Sequence, residues 1–469
     1  MPSSFGLVGL EQTTPRLPAR GARAGGNRWH RLETPPIILS PPARGAGRGR
    51  KRIMITTIVV IFLIVYLGMI LGGLPFLQLD RTGVALLGAI ALIGVGALSL
   101  EEAVAAVHLP TVILLFSFMV VSAQMRLGGF YDWVTHKLAG LALGPAGLLG
   151  VLVVVVAALS AVFSNDIVCL AVAPVLIDAC QKRRLAPTPY LLALACSANI
   201  GSAATLIGNP QNMLIGQTLG LSFDGYFLDA ILPVSVGLLA CWGLIAWQTR
   251  GRWTDGAALL PPDTLHEART EAIAFDAWQT GKGLAVAGAL LVAFLVAPWP
   301  REHMALIGAG LLLMSRKLHS RKMLGLVDWE LLILFMSLFV VNHALQRTGV
   351  TAHAIAFLAA AGVHLDQLGS LFGVTFLLSN IVSNVPAVML LLPLAHHPMA
   401  GTLLALVSTL AGNLLIVGSI ANIIVVDAAA RRHIDIDWRG YARVGVPVTV
   451  ATLAIAGVYL ALRLQQGAA

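Results

Sequence analysis

Residues 146–180 read AGLLGVLVVVVAALSAVFSNDIVCLAVAPVLIDAC. The run is apolar almost throughout and far exceeds the ~20 residues a helix needs to cross a hydrocarbon core. Its middle is broken by Ser164-Asn165-Asp166, where an ordinary span would carry leucine or valine. Two helical arms meeting at a polar tip, a re-entrant hairpin, account for this pattern. A second run, 368–395, reads LGSLFGVTFLLSNIVSNVPAVMLLLPLA and breaks at Ser383-Asn384. In each run a proline follows the tip serine by ten residues, Pro174 in the first and Pro393 in the second.

The agreement extends outward from the hairpins. The next apolar run, 189–220, is interrupted at Gly208-Asn209-Pro210, and its counterpart, 402–426, at Gly418-Ser419. Asn212 lies four residues after Gly208, and Asn422 four after Gly418. Ahead of the first hairpin the sequence predicts spans near 53–72, 82–99 and 109–126, then an amphipathic stretch, Phe130–Leu143. A span at 228–248 closes the set. Ahead of the second hairpin it predicts spans near 283–298, 303–315 and 330–346, then an amphipathic stretch at 351–363. A span at 443–462 closes that set. The fold class expected is an all-α polytopic membrane protein of two repeats. Each has about five transmembrane helices plus a re-entrant hairpin and a discontinuous helix. An odd number of spans per repeat inverts the second relative to the first, and interrupted helices at matching positions point to a transport site. The domain plan is a disordered basic tail over 1–52, a first repeat over 53–249, a cytoplasmic linker over 250–282 and a second repeat over 283–464.

Composition agrees. Of 469 residues, 57% are apolar and 11% are charged, and mean hydropathy is +0.84. Soluble domains carry roughly 25% charged residues, so this chain lacks the polar surface to coat itself in water. From Gln367 to Val426 there is no Asp, Glu, Lys or Arg. The formal charge of +9 does not indicate nucleic acid. Ten of the 31 Lys and Arg precede residue 53, and the rest fall in short loops, where they set membrane orientation. With Lys182-Arg183-Arg184 inside, Arg126, Arg250, Arg252 and Arg443 also fall inside, as expected of a bacterial inner-membrane protein. The same count puts residue 53 outside, against the charge of the tail. Either translation begins at Met54, or the tail crosses against its charge, or the number of spans differs by one from this count. The cysteines, Cys169, Cys180, Cys196 and Cys241, form no CxxC pair and read as apolar filler.

Unpaired backbone is costly in hydrocarbon and persists only inside protein or beside a wet cavity. Interrupted helices create such places. Their N-termini offer N–H groups and a positive dipole end to an anion, and their freed carbonyls suit a cation. Ser164, Asn165, Asn209, Asn212, Ser383, Asn384, Ser419 and Asn422 are the expected substrate-binding residues, neutral groups that both donate and accept. Asn199, Thr205, Gly208, Asn413 and Gly418 are candidates for a cation site, and Gln211 adds a further amide. Asp166, whose counterpart is Val385, is a carboxyl in an apolar run and a functional hypothesis by default. Burial favours its neutral form, as a proton carrier requires. The alternative is a structural cap on the helix that follows. Asp178, near Lys182 and Arg183, reads as an interfacial ion pair.

At these motifs the chain resembles the ion transporter superfamily, which includes citrate transporters, arsenite permeases, sodium–dicarboxylate symporters and bacterial anion permeases. The resemblance rests on Phe163-Ser164-Asn165-Asp166, Ala198-Asn199-Ile200-Gly201 and Gly208-Asn209-Pro210-Gln211-Asn212 in the first half. In the second it rests on Val382-Ser383-Asn384, Ala411-Gly412-Asn413 and Gly418-Ser419-Ile420-Ala421-Asn422. It covers nearly everything from Ile53 to Leu464. It implies alternating access, with hairpin-bearing units moving against scaffold regions that support a homodimer. The symporters carry Ser-Asn-Thr at both tips, whereas Asp166 and Val385 stand in the third positions here. The Asn-Asp pair is similar to the arsenite permease branch, which works by proton exchange. The function expected is secondary active, proton-coupled transport of a small anion, a carboxylate or inorganic oxyanion, with arsenite or antimonite efflux as the alternative. No cofactor is implied, and the coupling ion expected is H+ rather than Na+. A channel or an intramembrane hydrolase would be the rivals from other classes. HExxH, GxSG and GxGD are absent from the sequence.

Overall fold

A computed structural model describes residues 46–74, 77–254 and 274–467. The tail over 1–45 and the linker residues 255–273 lie outside the described residues, so the expectations made for them stand as stated. Within the first half the helices are α1 (Ala46–Leu71), α2 (Arg81–Gly94), α3 (Leu100–Ala106), α4 (Leu109–Leu127), α5 (Phe130–Ala139), α6 (Pro145–Val162), α7 (Asn165–Lys182), α8 (Pro187–Ser202), α9 (Pro210–Thr218) and α10 (Phe223–Gln248). The second half carries α11 (Ala277–Val296), α12 (Arg301–Leu313), α13 (Ser320–Leu324), α14 (Trp329–Thr348), α15 (Val350–Ala360), α16 (Leu368–Val382), α17 (Asn384–Leu391), α18 (Ala400–Ala411), α19 (Ile420–Ala430) and α20 (Trp438–Gly467). The order of α1–α10 recurs in α11–α20, although α17, at 8 residues, is much shorter than its counterpart α7, at 18. A two-residue ladder, Gly73–Leu74 against Leu79–Asp80, links α1 to α2.

Local chemistry sets the boundaries. Asp80 caps α2 by accepting from the Gly83 N–H, and Asp328 caps α14 through the Leu331 N–H. Ser99 and Glu102 form a reciprocal capping box on α3. Prolines open α6, α8 and α9, where a missing N–H costs nothing. The turns from α4 to α5 and from α14 to α15 each pass through a left-handed glycine, Gly129 and Gly349.

Seven helices among the described residues are long and apolar enough to cross a membrane: α1, α4, α6, α10, α11, α14 and α20. The span expected at 82–99 is shorter than forecast, and the one expected at 303–315 keeps its 13 residues two positions earlier, at Arg301–Leu313. At 14 and 13 residues, α2 and α12 reach only about 20 Å. α2 stops because Gly96 turns the chain with φ +72° and Ser99 then starts α3. The helix forecast from residue 53 begins at Ala46, and the one forecast from 283 begins at Ala277, capped by Asp276.

Packing crosses between the halves. α2 lies against α14 and α4 against α12, which are the same contact with the halves exchanged. α10 packs on its own counterpart α20, α6 on α8, and α16 on α18. α8 is buried from Tyr190 to Ser202 and α18 along its whole length, as expected of helices apolar on all sides. Elsewhere leucine, valine and isoleucine face outward, among them Leu63, Leu239, Val292 and Val450. Water would not tolerate so much exposed apolar surface, whereas lipid requires it.

Candidate substrate site

α8 and α18 each end in an irregular segment, 203–209 and 412–419, before α9 and α19 resume. Each segment is wider than the two or three residues the sequence marked. Asn212 and Asn422 close them in the same way. The Asn212 amide donates to the carbonyls of Thr205 (3.0 Å) and Ser202 (3.5 Å). The Asn422 amide donates to those of Leu415 (3.1 Å) and Gly412 (2.7 Å). The matched residues are ten before the asparagine and seven before it in both halves. Gly208 and Gly418 are needed for the same reason. A side chain on Gly208 would strike the Ser202 carbonyl, and one on Gly418 would approach the Gly412 carbonyl to 2.9 Å.

Two polar nodes hold these segments together. Asn199 on α8 accepts from the Asn165 amide (3.0 Å) and the Ser419 hydroxyl (2.9 Å). It donates to the side-chain carbonyls of Asn413 (2.8 Å) and Asn422 (3.0 Å). Thr409 on α18 accepts from the amides of Asn209 (3.2 Å) and Gln211 (3.1 Å), and its hydroxyl lies 3.4 Å from Asn212 Oδ1. Asn199 lies ten residues before Asn209, and Thr409 ten before Ser419. Each node therefore occupies the same place in its own half and gathers the broken helix of the other half. All of these side chains are buried.

The hairpin tips approach these nodes unequally. At the first tip the Asn165 amide reaches Asn199, and its backbone N–H points to the Gly208 carbonyl at 3.3 Å. Thr205 donates to the Ala161 carbonyl, tying the broken segment to the end of α6. At the second tip Asn384 is buried beside Gly412, where a Cβ would come within 3.0 Å of its amide nitrogen. Ser164 and Ser383 are half-buried at the tips and outside the two nodes. The expected residues thus divide. Asn165, Asn199, Asn209, Asn212, Asn413, Ser419 and Asn422 converge, Thr205, Gly208 and Gly418 shape the backbone, and Ser164, Ser383 and Asn384 flank the network. Asp166 stands in the first turn of α7, half-buried and in no ion pair among the described residues.

The sequence reading missed several members. Thr409 and Ser202 belong to the network, since Ser202 accepts from Asn209 at 3.0 Å and donates to the Asn199 carbonyl at 2.8 Å. Ser160 and Ser379 were missed as well. Each stands four residues before its tip serine, fully buried, and its hydroxyl has no partner among the described residues. The side-chain oxygens of Asn165 and Asn384 are equally unpaired among the described residues. The recurring pattern Ser-x-x-x-Ser-Asn was the available signal. Buried polar atoms without partners are costly in hydrocarbon, and here the same two atoms are free at both tips. Asp178 pairs with Arg432 rather than with Lys182 or Arg183, because α7 runs out beside the end of α19. Arg183 instead donates to the carbonyls of Ala139, Leu141 and Leu143.

The sequence profile of the citrate transporter family matches residues 53–411 of this chain. The chain belongs to that family. Among its relatives is a 46 kDa membrane protein of Mycobacterium leprae, 31% identical over 370 residues, 75% of this chain and 86% of that protein. A silicon efflux transporter of Oryza sativa subsp. japonica is 29% identical over 455 residues, 82% of this chain and 93% of that one. The fold is similar to the crystal structure of the YdaH transporter of Alcanivorax borkumensis, with a TM-score of 0.52 and 14% identity over 88% of this chain and 98% of that one. This family member is a multi-pass membrane transporter of small solutes.

Proposed function

We propose that the chain carries out secondary active transport of a small oxyanion, or its neutral oxyacid, in exchange for protons across the bacterial inner membrane. The observation that carries this reading is the composition of the two nodes. They are built from amides and hydroxyls alone, and no Lys or Arg belongs to them. A solute rich in hydroxyls or oxo groups matches such a lining, with the N-termini of α7, α9, α17 and α19 favouring partial negative charge. A multiply charged carboxylate would have to shed its water with no fixed cation to replace it. Similarity to a silicon efflux transporter favours a hydroxylated inorganic acid, with arsenite as the related efflux substrate. The family's citrate designation favours a carboxylate as the second reading. Asp166 is the proton carrier in this scheme. Alternating access would come from two inverted repeats exchanging conformations around the nodes, with the outer helices supporting a homodimer.

The test is substrate-induced proton flux in sealed proteoliposomes, with arsenite, silicic acid, sulfate, succinate and citrate, each with and without sodium. A sodium-independent proton signal with an inorganic oxyacid is expected. A signal that requires sodium and a carboxylate would overturn the proposal. Asp166→Asn should insert and fold normally while losing proton coupling, and intact coupling in that variant would remove Asp166 from the mechanism.

A further inference from the structure

The end of α10 and the start of α20 lie side by side in a basic corner. α10 stops at Gln248, Gly251 reverses the chain with φ +78°, and Arg250 and Arg252 flank that turn. Gln248 ties the corner together, because its amide donates to the Arg443 carbonyl at 3.0 Å and its own carbonyl accepts from Arg252 at 2.6 Å. Between these groups lies a cavity of about 520 Å³ lined by Trp247, Gln248, Arg250, Arg252 and Arg443. Among the described residues no carboxylate lines it and none of the three arginines has an ion-pair partner. Three guanidinium groups around one cavity, uncompensated among the described residues, suit an anion. Their planar forks suit phosphate oxygens in particular.

The surroundings say which kind of anion. Trp247 is 71% exposed at the rim, in the manner of an indole at the membrane interface. Away from the cavity, Leu239, Val236 and Leu232 are exposed along α10, and Val446 and Val450 along the adjoining α20. A soluble phosphate would use the guanidiniums and leave this apolar face idle. A phospholipid uses both, its headgroup in the cavity and its acyl chains along the two helices. We propose that this corner is a specific site for the phosphate headgroup of an anionic phospholipid. The site has a route to the transport machinery. The Trp253 carbonyl, one residue past Arg252, accepts from the Ala186 N–H at 2.8 Å, and its ring packs on Tyr190 of α8. A lipid that holds the 250–253 turn therefore steadies the start of the helix that carries Asn199.

The full-length protein in nanodiscs or mixed micelles tests this, with bound lipid read by native mass spectrometry. The probes are phosphatidylglycerol, phosphatidylcholine and inorganic phosphate. At about fivefold per arginine, the three groups predict roughly a hundredfold preference for phosphatidylglycerol over phosphatidylcholine. Replacing all three, Arg250→Gln, Arg252→Gln and Arg443→Gln, should bring the two lipids close to parity. Millimolar inorganic phosphate should not displace the lipid. An unchanged preference in the triple variant overturns the proposal. So does displacement by inorganic phosphate, which would make the corner a site for a soluble anion. Should the triple variant fail to fold, Arg250→Gln and Arg443→Gln singly are each expected to lower the preference about fivefold, and unchanged singles overturn it equally.

Discussion

Ser383 has φ +77° and ψ 161°, a conformation that favours glycine, whereas Ser164 at the corresponding tip has φ −52° and ψ 130°. A side chain held at such a positive φ costs about 1–3 kcal/mol and persists at sites where function requires it. Ser383→Gly should therefore raise thermal stability by about 1 kcal/mol, read as a higher melting temperature in detergent, while Ser164→Gly should not. Equal effects at the two positions would show that the strain at the second tip is not real. The strain falls at the tip whose asparagine stands outside the hydrogen-bonded nodes, so the two tips are not equivalent in this conformation. Asp166 and Val385 make the same point chemically, since one tip carries a carboxyl and the other an isopropyl group.

At the scale of elements, the broken helices depend on close backbone approach. Gly208→Ala forces a methyl group against the Ser202 carbonyl and should cost about 3 kcal/mol or more, seen as lost folding yield by size-exclusion chromatography. Gly281→Ala is the control. Its Cβ would meet nothing within 4 Å on α11, and alanine favours the helix. Outside the bilayer, α3 depends on Glu102. The Ser99 N–H and then the Arg347 guanidinium hold its carboxyl below the usual carboxylate range. A carboxyl whose folded pKa is lowered contributes stability that is present above its ordinary pKa and is lost as pH falls through the lowered value. Glu102→Gln should therefore be less stable than the parent at neutral pH and converge with it in acid, below the ordinary glutamate value of 4.5. Melting curves from neutral pH down to about 3 check this, with the gap starting to close near the ordinary carboxylate range and closing as pH falls through the lowered value, and a constant gap would refute it.

For the whole molecule, the halves are joined by polar exchange as well as by the packing of α2 on α14 and α4 on α12. Asn199 reaches into the second broken helix and Thr409 into the first. Removing one node leaves several buried partners unsatisfied, at ~2–4 kcal/mol. Asn199→Ala should abolish transport in proteoliposomes and lower the melting temperature. Thr409→Val, which keeps shape and removes the hydroxyl, should do the same to a smaller extent. Asn199 joins four side chains, so its loss should exceed that of Thr409, and the reverse order would show that the nodes are not the joint between halves.

Much of this was legible in the chain itself. Apolar runs broken by Ser-Asn, Gly-Asn-Pro and Gly-Ser marked the hairpins and the discontinuous helices, because a polar or helix-breaking residue in such a run has no cheaper explanation in hydrocarbon. The repeat was legible because equal spacings recur from Ser164 to Pro174 and from Ser383 to Pro393. Asn165, Asn209, Asn212, Ser419 and Asn422 were legible for the same reason, and Asn199 and Asn413 as polar residues in apolar runs beside the breaks. Thr409, Ser202, Ser160 and Ser379 were not, because a hydroxyl inside an apolar helix ordinarily bonds its own backbone and leaves no mark of a longer-range role. The length of α2 and the pairing of Asp178 with Arg432 were likewise hidden, since both are set by what lies alongside in space. The sequence by itself determined which segments enter the membrane and where they break, because burial and backbone hydrogen bonding act along the chain. Only the tertiary structure decided that each broken helix is held by a residue of the opposite half, because that choice is made between groups some 200 residues apart.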